Sequence, residues 1–126
     1  MNHARHLIFV YGTLRHLDAA HDLLGGCEHV GRAKTIPEFS LRNVGPYPAM
    51  VRTGEQQVVG ELYWVPSDRI SVLDAYEDHP TLYQRTPIAL DHPDHPVAEA
   101  YLMTSSVAMG YPLVPSGDWH RMQDFA

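Results

Sequence analysis

The apolar residues of this chain fall into short dense runs separated by turn-forming residues, and the spacing within the runs changes along the sequence. Residues 6–11, HLIFVY, form a continuous β-favouring run that stops at Gly12, as a buried strand entering a turn does. Beyond it Leu14, Leu17, Ala20, His21 and Leu24 recur at helical spacing up to Gly25-Gly26, which predicts a helix and its stop. From Val30 to Val51 the pattern is mixed. EFSLRNV reads as extended, and GPYP as a bend in which two prolines oppose regular ladder bonding. VVGELYWV, 58–65, predicts a strand ended by Pro66, and its internal glycine marks a bulge or a close backbone approach. Ser67 stands as an N-cap before DRISVLDAYE, a short helix limited by Pro80. LYQRTPIAL and VAEAYLM, joined by the polar DHPDHP, predict a hairpin in which Pro87 confines the first strand to an edge or a bulge. The tail from Gly110 is irregular, with a last turn over 118–123.

This order of elements predicts one α+β domain over residues 1–126, a small mixed or antiparallel β-barrel with two or three short helices. A chain of 126 residues supports one hydrophobic core and is too short for two ordinary domains. With 44% hydrophobic and 19% charged residues it has neither a disordered nor a low-complexity profile. The net charge of −6 offers no footprint for a phosphate backbone, so nucleic acid is not expected as a partner. The run Leu7 to Tyr11 is too short for a signal-peptide core or a membrane span, and the chain reads as cytoplasmic with no membrane partner. Cys27 stands alone, which excludes an internal disulfide and a Cys-x-x-Cys pair. It reads as a small buried side chain rather than a nucleophile.

One position breaks the helix pattern. After Ile70 and Leu73 the next core-facing position is 77, which is Glu. Burial, the negative end of the helix dipole and Asp74 three residues back would all push its pKa upward, and a carboxyl that titrates near neutral pH suits a general acid or base. The plain alternative is a helix that frays after Tyr76, leaving Glu77 to reach solvent or to pair with Arg85. The second local feature is Tyr11-Gly12-Thr13-Leu14. Successive N–H groups at such a junction hold an anion such as a carboxylate, although a simple connecting turn fits the same letters. Neither a P-loop nor a Gly-x-Gly-x-x-Gly fingerprint occurs, which disfavours phosphate chemistry. Nine histidines invite a metal reading, but His92-Pro-Asp-His95 reads as a solvated loop and there is no His-Glu-x-x-His; no metal is expected. No Gly-x-Ser-x-Gly elbow is present, and Trp64, Trp119 and the tyrosines read as core and pocket wall.

YGTLR after the first strand, GELYWV as a middle strand and LDAYEDHPTLYQR after a short helix together resemble the gamma-glutamyl cyclotransferase-like family, over most of residues 7–104. Within it the chain is most similar to the gamma-glutamylamine cyclotransferase branch, whose comparable segment also reads Leu-Asp, an aromatic, Glu, then Pro and Tyr-Gln-Arg-Thr. The resemblance implies a barrel-containing fold in which Glu77 is the catalytic acid/base and Tyr11, Gly12, Thr13 and Leu14 bind the gamma-glutamyl group. Tyr83 and Arg85 match the residues that follow the catalytic Glu, with Tyr83 the one to border the pocket and Arg85 either there or structural. SGDW at 116–119 departs from that branch and looks more like bacterial relatives.

The implied reaction is attack of the α-amine of a gamma-glutamyl amine or amino acid on its own γ-carbonyl, releasing 5-oxoproline and the free amine without a cofactor. A single carboxylate can carry the proton, and the N–H groups of 11–14 would hold the α-carboxylate. Two other readings keep the fold: a small-molecule binding or regulatory domain without catalysis, and a deprotecting cyclotransferase that acts on a biosynthetic intermediate. The leaving group, the oligomeric state and the place of residues 105–126 are left open by the sequence.

Overall fold

The HLIFVY run becomes the middle of a sheet. In a computed structural model, which describes residues 4–16 and 18–121, the strands are β1 (Arg5–Val10), β2 (Glu28–Lys34), β3 (Phe39–Asn43), β4 (Pro48–Gln56), β5 (Val59–Pro66), β6 (Gln84–Ala89) and β7 (Val97–Leu102). Among the described residues the α-helices are α1 (Ser67–Tyr76) and the single turn α2 (Ser105–Ala108). The sheet order is β2-β5-β1-β7-β4-β3, with β6 paired to β7. β1 runs antiparallel to β5 along its whole length and meets β7 in parallel at Ile8 and Glu99. β4 also meets β7 in parallel, at Met50 and Leu102, so the sheet is mixed. It does not close into the expected barrel by a continuous ladder. β2 and β6 reach each other only through one isolated bridge just past their ends, between Thr35 and Leu90.

Successive side chains of a strand point to opposite faces, and here both faces are covered. Leu7, Phe9 and Tyr11 pack with Phe39, Leu41, Met50, Leu62 and Ile88 on one face. Ile8 and Val10 pack on the other with Val65, Tyr83, Tyr101 and the inward residues of α1, Ile70 and Leu73. A strand buried on both sides must be apolar at every position, which is why β1 shows no alternation.

Several elements differ from the sequence pattern. The helix expected from Leu14 to Leu24 is a string of turns ending in a short 3-10 helix, His21–Leu24, and Leu17 lies outside the described residues. A regular helix with Leu14 and Leu24 inward would turn Arg15 to solvent; instead Arg15 is buried against two carboxylates. Ser67 is not the N-cap. Pro66 holds that position without a side-chain bond, and the Ser67 hydroxyl donates to the Ala4 carbonyl at 3.0 Å. The mixed region contains two strands beyond the one expected at EFSLRNV, and Pro48 opens the second of them, a position where a missing N–H is tolerated. The hairpin of β6 and β7 is as expected, with Pro87 opposite Glu99 on a strand laddered along one side only. The last turn is a 3-10 turn over 119–121; Met122 and Gln123 fall outside the described residues. Among the described residues no helix is long and apolar enough to cross a membrane.

Of the two readings of Gly60, close approach is the one realised: a Cβ there would lie 2.2 Å from the Val10 carbonyl oxygen and 2.8 Å from the Phe9 ring. The irregularity in this strand pair lies elsewhere, between His29 and Gly31 opposite Tyr63 and Leu62, while Gly60 is paired regularly with Ala33. Gly60→Ala is therefore expected to lower stability by roughly 1–3 kcal/mol, the usual result of overfilling a packed interior. The midpoint of a urea transition measures it, and an unchanged midpoint would contradict the contact.

Candidate active site

Where β1 ends, the chain bends through Gly12 to Leu14 and opens a cavity of about 240 Å³ against the end of α1. Gly12 is required by space. A Cβ there would stand 2.6 Å from the ring of Pro48, which also lines the cavity. The turn is closed by the Arg15 N–H donating to the Gly12 carbonyl at 3.0 Å. The N–H groups of Gly12, Thr13 and Leu14 make no hydrogen bond to any described residue. Three consecutive unbonded donors beside a cavity are the arrangement that receives an anion.

Glu77 lies across the cavity from this loop. The helix does end at Tyr76, as the fraying alternative had it, and Glu77 is the C-cap residue, its N–H donating to the Leu73 carbonyl at 2.9 Å. Asp78 follows in the left-handed region at φ 53° and turns the chain away. The consequence drawn from fraying does not follow, because the Glu77 side chain lines the cavity rather than pairing with Arg85. No hydrogen bond or ion pair joins its carboxylate to a described residue. Burial pushes its pKa up to about 7. Of the three causes expected from sequence, burial is the one that acts. The Asp74 carboxylate, which would have repelled it, is held by Arg85 at 3.1 Å and by the Tyr101 hydroxyl at 2.6 Å. Burial opposes that charge, but these bonds keep Asp74 below the ordinary carboxylate range.

The remaining wall is aromatic. Tyr83 lines the cavity, with its hydroxyl donating to the Pro48 carbonyl at 2.8 Å. The buried Tyr11 hydroxyl donates to the Tyr101 carbonyl and accepts the Met50 N–H at 3.1 Å. With its phenol committed on the far side, Tyr11 is left with its backbone to offer a ligand. Burial raises the pKa of Tyr11, Tyr83 and Tyr101, so all three stay protonated and act as fixed spacers. Thr13 Oγ1 and the Tyr76 hydroxyl lie 2.8 Å apart at the rim.

Of the residues singled out from the sequence, the structure gathers Tyr11, Gly12, Thr13, Leu14, Glu77 and Tyr83 on one cavity. Arg85 is not among its lining residues. Its guanidinium joins Asp74 to Glu99, at 3.1 and 2.7 Å, behind the wall. Phe9, Val10, Pro48 and Leu82 also line the cavity and were not singled out from the sequence, while Tyr47, Tyr76 and Tyr101 were read only collectively, with the other tyrosines, as core and pocket wall. Tyr47 and Pro48 lay in the GPYP stretch, whose reading as a bend says nothing of a pocket, and nothing local marks Tyr101 apart from other strand aromatics. Cys27 is half-buried away from the cavity, and burial raises its thiol pKa, which disfavours a nucleophile. His92 Nδ1 accepts the N–H groups of Asp94 and His95, so that loop is organised by its own backbone.

Residues 8–121 match the family model described as gamma-glutamyl cyclotransferase, AIG2-like, and the chain belongs to that family. It is 37% identical over 116 residues to a Vibrio cholerae protein named "Putative gamma-glutamylcyclotransferase", covering 91% of this chain and 96% of that one. It is 36% identical over 95 residues to gamma-glutamylaminecyclotransferase A of Danio rerio, covering 66% of this chain and 57% of that longer protein. Among solved structures, an AIG2-like protein from Mus musculus superposes with a TM-score of 0.74 at 25% identity, over 88% of this chain and 86% of that one.

The raised Glu77 pKa carries a stability consequence whose sign follows from proton binding. An unfolded glutamate titrates near 4.5 and the folded one near 7. Between these values the folded state holds the extra proton, so stability falls as pH rises through the window and levels off above it. Glu77→Gln removes the loss. The variant is expected to gain on the parent protein by on the order of 3 kcal/mol between pH 4.5 and 8. Urea midpoints at both pH values measure it, and a difference that stays constant with pH would refute the buried carboxyl.

Proposed function

We propose that this chain is a gamma-glutamyl cyclotransferase in which Glu77 carries protons and the loop 11–14 holds the substrate. The observation that carries the reading is the pairing, on one small cavity, of an unpartnered carboxyl titrating near 7 with three consecutive unbonded N–H groups. The α-carboxylate of a gamma-glutamyl group sits on those N–H groups, which fixes one end of the substrate and folds its α-amine towards its own γ-carbonyl. The α-ammonium nitrogen must lose two protons on becoming the lactam nitrogen, and the departing nitrogen must gain two on leaving as an ammonium. Glu77 takes the first proton and frees the amine to attack. The C–N bond of the ring forms, the protonated Glu77 donates to the departing nitrogen, and the old amide C–N bond breaks. The second proton follows by the same carboxyl, which ends ionised as it began. No electrons change hands and no co-reactant is consumed.

The walls favour an amine as leaving group. Apart from Glu77 the lining residues are apolar, aromatic or a threonine, with no Lys, Arg or His among them. The carboxylate of a departing amino acid would have no cation to meet there, and desolvating it without a partner is unfavourable. Tyr47, Tyr76 and Leu82 instead offer contact to an uncharged chain or, at the aromatic faces, to a cationic one. Tyr83 serves as a wall.

The test is release of 5-oxoproline from gamma-glutamylamines, gamma-glutamyl amino acids and glutathione. The amines are expected to react best, and Glu77→Gln is expected to lower kcat by about 10²–10⁴-fold, the usual weight of a general acid/base. In the parent protein kcat/KM should rise with pH through about 7 as Glu77 loses its proton. A folded protein inert towards the whole panel, or a variant as active as the parent, would sink the reading.

A further inference from the structure

Directly behind the anion-receiving turn lies a buried charge cluster that the chemistry above does not use. Arg15, Glu61 and Asp118 are all buried. Arg15 Nε donates to Glu61 at 3.0 Å, and its terminal nitrogen donates to Asp118 at 2.7 Å. Glu61 belongs to β5 and is paired with Val10, the last residue of β1, so this anchor is part of the sheet beside the point where the turn begins. It also accepts the His16 N–H at 2.8 Å and the Tyr63 hydroxyl at 3.2 Å. Burial works against its charge, yet these donors bring its pKa below the ordinary value.

The other anchor comes from the far end of the chain. Asp118 accepts the His120 N–H at 3.0 Å, and its own N–H donates to the Ser116 hydroxyl. The segment is clipped to the sheet through the Gly117 carbonyl, which accepts the Val59 N–H at 2.9 Å. Gly117 has φ +71°, and a Cβ there would fall 2.4 Å from the Gln57 carbonyl oxygen. Trp119 packs against the core. A second tie to the loop runs from His120 Nε2 to Asp18 at 2.9 Å. None of residues 116–120 lines the cavity.

We infer that Arg15 and Asp118 are positioning residues that brace the turn 12–15 between the sheet and the 116–120 segment, so that its N–H groups stay aimed at the substrate carboxylate. The inference rests on the reading of that turn as the carboxylate site. The Arg15 side chain is the far end of the turn whose near end is the Gly12 carbonyl, so fixing the guanidinium fixes the peptide planes between them. The cluster does not act as a positive charge drawing in the anion. Two carboxylates face Arg15, and the exposed Arg32, 3.4 Å from Asp118, brings the count to two of each sign.

Those two modes of action predict opposite signs. Asp118→Asn leaves the charge of Arg15 less balanced, so a purely electrostatic role would tighten carboxylate binding, whereas a lost brace weakens it. Gly117→Ala displaces the same segment with every charge in place. Calorimetric titration with 5-oxoproline, the carboxylate product, gives the dissociation constant of each, and steady-state kinetics gives KM and kcat separately. Both variants are expected to bind about tenfold more weakly and to raise KM about as much, with kcat within about twofold and its pH limb unmoved, the pattern of lost ground-state binding. Binding as tight as in the parent or tighter, or a fall in kcat that tracks a fall in Tm, would overturn the brace. If Asp118→Asn does not fold, Gly117→Ala alone decides between the two modes. A parent protein that neither binds 5-oxoproline nor forms it refutes the carboxylate site itself and the brace with it. A parent that does both while its variants match it refutes the brace alone.

Discussion

The carboxylate of Asp74 is shared between the Arg85 guanidinium and the Tyr101 hydroxyl, and through it three separate parts of the chain become one wall. Asp74 rides on α1 one turn before Glu77, Arg85 stands on β6, and Tyr101 stands on β7. The Tyr101 carbonyl in turn receives the Tyr11 hydroxyl from the end of β1. A helix whose last turn is fastened to two strands holds its C-terminal residue in place, and that residue is Glu77. Arg85 continues the chain of contacts through Glu99 to His6 on the central strand, at 2.7 Å in each step. The polar network lies behind the cavity, and the cavity itself is left to aromatic rings and free backbone donors.

This division of labour bears on how a carboxyl is kept near neutral titration. A glutamate beside a free aspartate or an arginine would have its pKa set by that neighbour, upward or downward. Here the nearby charges satisfy each other, and desolvation alone sets the value for Glu77. Leaving a carboxyl without a partner in a partly dry cleft costs stability. A structure with no use for that group would be more stable with an apolar residue there, and the apolar surroundings at Ile70 and Leu73 show that the site could have been filled.

Much of this was legible because the strongest signals are local. The continuous run of β1, the glycine that ends it, the apolar spacing of α1 and the acid at the next core position are each set within a few residues. The turn and Glu77, two parts of the cavity wall, stood out in the letters, each beside a plain alternative, and the family resemblance singled them out. What was illegible depends on distant partners. Leu14, Ala20 and Leu24 have helical spacing, but the burial of Arg15 against Glu61 and Asp118 overrides it. Ser67 has the letter of an N-cap, yet the Ala4 carbonyl claims its hydroxyl. Arg85, which the resemblance left either at the pocket or structural, is held away from the cavity by Asp74 and Glu99, because the strand starts only after Tyr83 and the two side chains go to different neighbours. Closure of the sheet is likewise a long-range property, and the sequence pattern does not distinguish one bridge from a full ladder.

The parallel contact of β1 with β7 joins Ile8 to Glu99, and the brace joins Arg15 to Asp118 across 103 positions. During synthesis, therefore, β1 emerges with neither its parallel neighbour nor its tail available, and only β5, more than fifty residues later, can shield one of its edges. Long loops must close before such pairings gain anything in return, which slows folding and leaves an apolar strand open to wrong partners in the interval. The turn 12–15 is thus made well before Glu61 and Asp118, the two residues that fix its Arg15 side chain, and takes its shape only when both have arrived.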